Sequence, residues 1–170
     1  HAMTEIEKRV VAWTAEMIGY TPEAGGVMVS GGSAATLTGL TVARNIFFRE
    51  HKVNQRGLFG CKPFTVYCSS ETHNSTDKSV ALLGIGSDQL RRIPATSDFK
   101  MDLLALEQQI QADIAAGFTP FCIVGNAGTV NTGAIDDLQA LSSIAQQHKM
   151  WFHVDGAYGG LIASLDEMKH

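Results

Sequence analysis

Cysteine is scarce in this chain: Cys61, Cys68 and Cys122 are odd in number and form no Cys-x-x-Cys pair. A disulfide framework or a cysteine zinc site is therefore not expected, and a cytoplasmic, reducing location is. Positive charge is short as well. The 13 Lys and Arg face 17 Asp and Glu, a net charge of -4, which gives no electrostatic reason to expect nucleic acid or an anionic membrane as a partner. No apolar run is long enough to span a bilayer. The N-terminus has no basic region followed by an apolar core, so no secretory signal is visible. The 6 histidines are scattered rather than gathered into a tract. What is present is an ordinary globular composition: 170 residues, 45% hydrophobic and 18% charged, enough for one core. His1-Ala2-Met3 reads as a cloning scar, leaving residues 4–170 for the fold.

Short β-rich runs alternate with longer helical patterns. Strands are expected at 26–30, 65–68, 89–93, 121–125 and 151–155. Helices are expected at about 4–18, 34–49, 76–83, 102–116 and from Asp136 or Asp137 to about Lys149. The second of these has an apolar stripe of Leu37, Leu40, Val42, Ala43, Ile46 and Phe47. The fourth aligns Leu103, Leu106, Ile110 and Ile114, and Gly117 stops it. Such alternation predicts an α/β fold: a mainly parallel sheet with flanking helices.

Four segments carry chemistry. Ser30-Gly31-Gly32-Ser33 opens a helix, where free N–H groups and the positive dipole end suit a phosphate. It is neither a Walker A loop nor G-x-G-x-x-G, and a plain tight turn capped by Ser33 is the competing reading. Ser69 to Ser75 holds His73, which can stack on a planar ring, shuttle a proton, or simply bond locally. Gly125 to Gly133 supplies Thr129, a hydroxyl donor in a segment that also suits an ordinary turn. His153-Val154-Asp155 ends a strand, where ligands of open α/β sheets bind, and a carboxylate there calls for a cation or a donor. A metal site from His153, Asp155 and His73 lacks further clustered ligands. A Ser33-His73-Asp155 hydrolase triad lacks the G-x-S-x-G elbow.

If the strands are parallel, all four segments meet at one sheet edge. One ligand uses a phosphate cradle, a stackable ring, a hydroxyl donor and a carboxylate together: pyridoxal 5'-phosphate. Its protonated pyridine nitrogen needs the carboxylate, because the cationic ring is the electron sink.

Ser30-Gly31-Gly32-Ser33, Thr72-His73, Gly128-Thr129 and His153-Val154-Asp155-Gly156-Ala157-Tyr158-Gly159-Gly160 resemble the motifs of the group II pyridoxal-phosphate-dependent amino acid decarboxylases, in order and approximate spacing over roughly residues 10–165. The last block is the most specific of them. The resemblance implies an aspartate-aminotransferase-like (fold type I) large domain and a homodimer with active sites at the subunit interface. It implies decarboxylation of a small-molecule L-amino acid substrate. It also implies that Gly32 and Ser33 bind the phosphate, His73 stacks on the pyridine ring and assists proton transfer, Thr129 lies near the ring's oxygen-bearing side, Asp155 pairs with the pyridine nitrogen, and Ala157 packs on the other ring face. No metal is implied.

The departure from the family pattern is that its Schiff-base lysine, in a Ser-x-His-Lys motif, belongs beyond the last residue here. Lys169 comes too soon, in a stretch (Asp166-Glu167-Met168-Lys169) that reads as a polar helix end. The expectation is an incomplete large domain without the N-terminal segment and C-terminal small domain, inactive by itself. A sphingosine-phosphate lyase-like or desulfurase-like lyase of the same fold, or a non-catalytic cofactor-binding fragment, are the alternatives.

Overall fold

In the computed structural model, which describes residues 2–165 and Glu167, β1 (Phe64–Ser69), β2 (Leu90–Ile93), β3 (Thr119–Asn126) and β4 (Trp151–Asp155) form one sheet. Its order is β2-β1-β3-β4, and every neighbouring pair is parallel. His1, Asp166, Met168, Lys169 and His170 lie outside the described residues, and with them most of the expected polar helix end. The helices are α1 (Ala2–Met17), α2 (Gly32–Phe47), α3 (Val53–Arg56), α4 (Ser75–Leu82), α5 (Leu103–Ala115) and α6 (Leu138–Gln147).

The central strand β1 is buried throughout and β3 is buried from Phe121 to Asn126, because both sheet faces are covered. On one face Leu40 and Ala43 of α2 and Val80 of α4 pack on Val66, Cys68, Cys122 and Val124. On the other, Leu106 and Ile110 of α5 and Leu141 and Ala145 of α6 pack on Tyr67 and Ile123. Burial pushes the Cys68 thiol up to about 12 and raises that of Cys122 as well, so both serve as small apolar side chains. Asp113 of α5, almost fully buried, accepts from the Tyr67 hydroxyl at 2.9 Å and pairs with the Arg91 guanidinium at 3.0 Å. That network ties α5 to β1 and β2.

Helix ends follow their caps. Asp102 accepts from the Leu104 and Ala105 amides at the start of α5, and Gly117 (φ 86°) follows its last turn. Of the two candidates before α6, Asp137 is the cap, accepting from the Ala140 amide at 2.9 Å, while Asp136 is buried.

The expected first strand at 26–30 does not form. The segment is irregular, with Val27, Met28 and Val29 exposed by 56%, 60% and 38%. The Met28 amide donates to the Glu7 carboxylate of α1 instead of joining the sheet. An unbroken apolar run has no period, so sequence alone does not separate a buried strand from an irregular apolar segment. The helix stripes are also narrower than expected: Val42 and Ile46 of α2 and Ile114 of α5 face outward, because only part of each stripe reaches the sheet.

Candidate active site

Parallel strands end on the same side, so the loops after β1, β3 and β4 share one edge. There they meet the first turn of α2 around a pocket of ≈ 300 Å³, lined by residues from all four segments. Gly32, Ser33, His73, Thr129, Asp155 and Ala157 all line it. Sequence reasoning missed Ser75, Asn126, Val130 and Tyr158, which line it too. Ser75 and Asn126 stand inside segments already singled out, and their position next to a strand or helix end was the available signal.

The α2 end of the pocket is a set of free donors. Gly31 precedes the helix with no side-chain cap, and the first helical bond runs from the Ala35 amide to the Gly31 carbonyl at 3.0 Å. The amides of Gly32, Ser33 and Ala34 therefore have no acceptor within the helix. A Cβ on Gly32 would stand 3.3 Å from the Ala157 methyl, so the glycine lets the helix start close to the loop after β4.

Asp155 is half-buried at the end of β4, an edge strand of the sheet among the described residues. Its Oδ1 accepts from the Ala157 amide at 3.1 Å, and Oδ2 has no protein partner among the described residues. The turn that follows is held against β3 by the Gly159 amide, which donates to the Ala127 carbonyl at 2.9 Å. A Cβ on Gly159 would overlap that same carbonyl oxygen, which explains glycine there. Thr129, buried beneath the loop after β3, is hydrogen-bonded to Thr132 at 2.6 Å.

The His73 loop is clamped from both sides. The Arg92 guanidinium on β2 donates to the carbonyls of Ser69, Ser70 and Thr72 and pairs with Asp77. Asn126, at the end of β3, donates to the Thr72 hydroxyl at 3.0 Å and to the Asp136 carboxylate at 2.8 Å. His73 is itself exposed at the pocket. Ser33, His73 and Asp155 share the pocket, but no hydrogen bond links them among the described residues, and His73 Nδ1 is engaged by Ser75. No three His, Cys, Asp or Glu side chains converge as a metal site among the described residues.

His153, two residues before Asp155, does not line the pocket, and its ring packs against α2. A Cβ on Gly39 would lie 2.6 Å from its ring, so glycine at that position makes room for the imidazole. Burial lowers the His153 pKa from 6.5, partly offset by the Asp155 charge. Between that lowered value and 6.5 the unfolded chain binds a proton that the folded ring resists, so stability falls as pH falls through this window and is fully present above it. Chemical denaturation of the wild type and His153→Gln from pH 7.5 to 5 checks this. The expected result is a smaller acid loss in the variant, and parallel curves would contradict it.

Comparison with known proteins is consistent across sequence and structure. The family model described as "Pyridoxal-dependent decarboxylase conserved domain" matches residues 1–168. The chain is 38% identical over 155 residues to an aromatic-L-amino-acid decarboxylase of Bacillus atrophaeus, covering 91% of this chain and 30% of that one. The crystal structure of the glutamate decarboxylase domain of a diaminobutyrate-pyruvate transaminase and L-2,4-diaminobutyrate decarboxylase from Vibrio parahaemolyticus superimposes with a TM-score of 0.93 at 34% identity. That match covers 99% of this chain and 37% of that one. The 4-hydroxyphenylacetaldehyde synthase of Rhodiola rosea superimposes with a TM-score of 0.87 at 32% identity, covering 99% and 37%. The chain spans about a third of the length of the curated relatives it matches.

Proposed function

Because the chain belongs to the pyridoxal-dependent decarboxylase family, we propose that the longer protein removes the α-carboxylate of an L-amino acid as CO2, with pyridoxal phosphate in the pocket at the sheet edge. The observation that carries this reading is the set of polar groups around one cavity: free amides at the start of α2, an imidazole, and a carboxylate with an unpartnered oxygen. The residues present fit the cofactor. The Gly32 and Ser33 amides and the Ser33 hydroxyl would take the phosphate, whose charge suits the helix N-terminus. His73 would lie against the pyridine ring and assist proton transfer. Thr129 and Ala157 would line the remaining wall. Asp155 would hold a proton at the pyridine nitrogen. When bound, the cofactor supplies an electron sink for the pair left at Cα as CO2 departs.

The same reading makes the protein a homodimer in the cytoplasm. Large apolar side chains left exposed on α1, including Trp13 and Met17, support the former. The free thiols of Cys61, Cys68 and Cys122 support the latter.

A second reading is amino acid to aldehyde conversion, favoured by the similarity to the Rhodiola rosea synthase. Product analysis of the longer protein, loaded with pyridoxal phosphate and given a panel of L-amino acids, separates the two. One amine per CO2 is expected; aldehyde with CO2, ammonia and hydrogen peroxide, formed as O2 is consumed, supports the second reading. Other cleavage with no CO2 from any substrate would point to a lyase of the desulfurase or sphingosine-phosphate type and overturn the proposal.

A further inference from the structure

Beyond the pocket lining, the geometry points to Ser75 as the residue that fixes the tautomer of His73 and joins it to the first turn of α2. The Ser75 backbone amide donates to His73 Nδ1 at 3.2 Å. An amide only donates, so Nδ1 carries a lone pair and the proton of the neutral ring sits on Nε2. The Ser75 hydroxyl lies 3.0 Å from the same nitrogen, and since that nitrogen has no proton to give, the hydroxyl is the donor. Two donors from one residue thus converge on one ring nitrogen, holding both the tautomer and the ring plane.

The arrangement continues inward. Ser75 and Thr36 are 2% and 3% exposed, and their hydroxyl oxygens are 3.5 Å apart. The Thr36 hydroxyl donates to the Gly32 carbonyl at 3.0 Å. Two hydroxyl protons serve three contacts, and the two shorter ones take them. The longer Thr36–Ser75 contact is packing, with a relay available if Thr36 turns. Gly32 and His73 line the same pocket, so this buried pair fixes the distance between the free helix amides and the imidazole. His73 Nε2 has no protein partner among the described residues, and the ring therefore offers a ligand an N–H donor. That suits an anionic oxygen, such as a substrate carboxylate, better than an acidic proton.

The tautomer assignment stands on the protein alone, whereas its use in the pocket rests on the proposed function. Both are testable on the 170-residue chain labelled with 15N-histidine, by long-range 1H–15N correlation at alkaline pH. The wild type is expected to show His73 Nδ1 as an unprotonated, hydrogen-bonded nitrogen and Nε2 as protonated. Ser75→Ala keeps the amide and loses the hydroxyl, so the two nitrogen shifts should move part of the way toward each other as the tautomer preference weakens, and Ser75→Thr should restore the separation. A proton on Nδ1 in the wild type overturns the assignment even if Ser75→Ala fails to fold. Unchanged shifts in a folded Ser75→Ala overturn the role of the hydroxyl, because the backbone amide that the variant keeps would then set the tautomer without it. Pyridoxal phosphate titration, read by cofactor absorbance, should show about a three- to tenfold weaker affinity in Ser75→Ala, the size of one lost hydrogen bond. No binding by any variant, with the tautomer pattern intact, would remove the cofactor reading and leave the role of Ser75 standing.

Discussion

Asp155→Asn in the longer protein is expected to lower kcat for decarboxylation by roughly 10²- to 10³-fold, the loss typical of removing one preorganised electrostatic partner. The substitution is nearly isosteric. The asparagine carbonyl keeps the acceptor that Asp155 Oδ1 offers the Ala157 amide, so the turn after β4 should hold and the fold should survive. What changes is the other arm. Oδ2 has no protein partner among the described residues and belongs to a residue lining the pocket; in the variant an amide N–H2 stands there. An amide donor cannot accept from a protonated pyridine nitrogen, and the negative charge that favours that proton is gone. The cofactor should therefore bind with its ring nitrogen unprotonated and withdraw electrons poorly. Steady-state kinetics with cofactor absorbance checks this, and the loss should fall on kcat more than on KM. A variant within a few-fold of wild type would remove Asp155 from the role proposed for it.

How legible the fold was depends on whether a segment's environment was set within its own sequence. The sequence places β4 at Trp151–Asp155, and the structure agrees residue for residue, because an apolar run closed by Asp-Gly marks the strand. α5 was legible from Asp102 and Gly117, whose side-chain acceptor and positive φ mark its two ends. The convergence of the loops after β1, β3 and β4 follows from parallel strand order, whereas the first turn of α2 joins them with no strand before it. Residues 26–30 misled because apolar character implies burial but does not say which edge pairs with it.

In the site, the residues with recognisable chemistry were legible, and their supports were not. Nothing local in Arg92 says that its guanidinium will collect three carbonyls of the His73 loop. Nothing in Ser75 says that both its donors will face one imidazole nitrogen. Asp136 and Asp137 are adjacent acids with equal claim to cap α6 by pattern. Only the packing of the loop before α5 against β3 draws Asp136 inward.

That choice makes Asp136 the second position where a large effect is expected. Its side chain is 3% exposed. Oδ1 accepts from the Met101 amide at 2.7 Å, and Oδ2 accepts from the Asn126 amide and side chain, both at 2.8 Å. Asp136→Ala leaves these three donors without their acceptor in a closed space. At about 1–3 kcal/mol for each buried donor left unmade, partly offset by water entering the vacated volume, the expected loss is about 3 kcal/mol. For a chain of this size that is a Tm decrease of roughly 6–12 °C. Asp136→Asn is no rescue, because one of its two arms would present N–H2 to N–H donors. The loss should also reach the pocket, since Asn126 holds the Thr72 hydroxyl beside His73. Residual folded variant should therefore bind pyridoxal phosphate more weakly than wild type. Denaturant unfolding and cofactor titration on the same preparations measure both effects. Stability within 0.5 kcal/mol of wild type, a bound set by ordinary surface substitutions, would mean that the three amides find other acceptors and that Asp136 does not hold this edge of the site together.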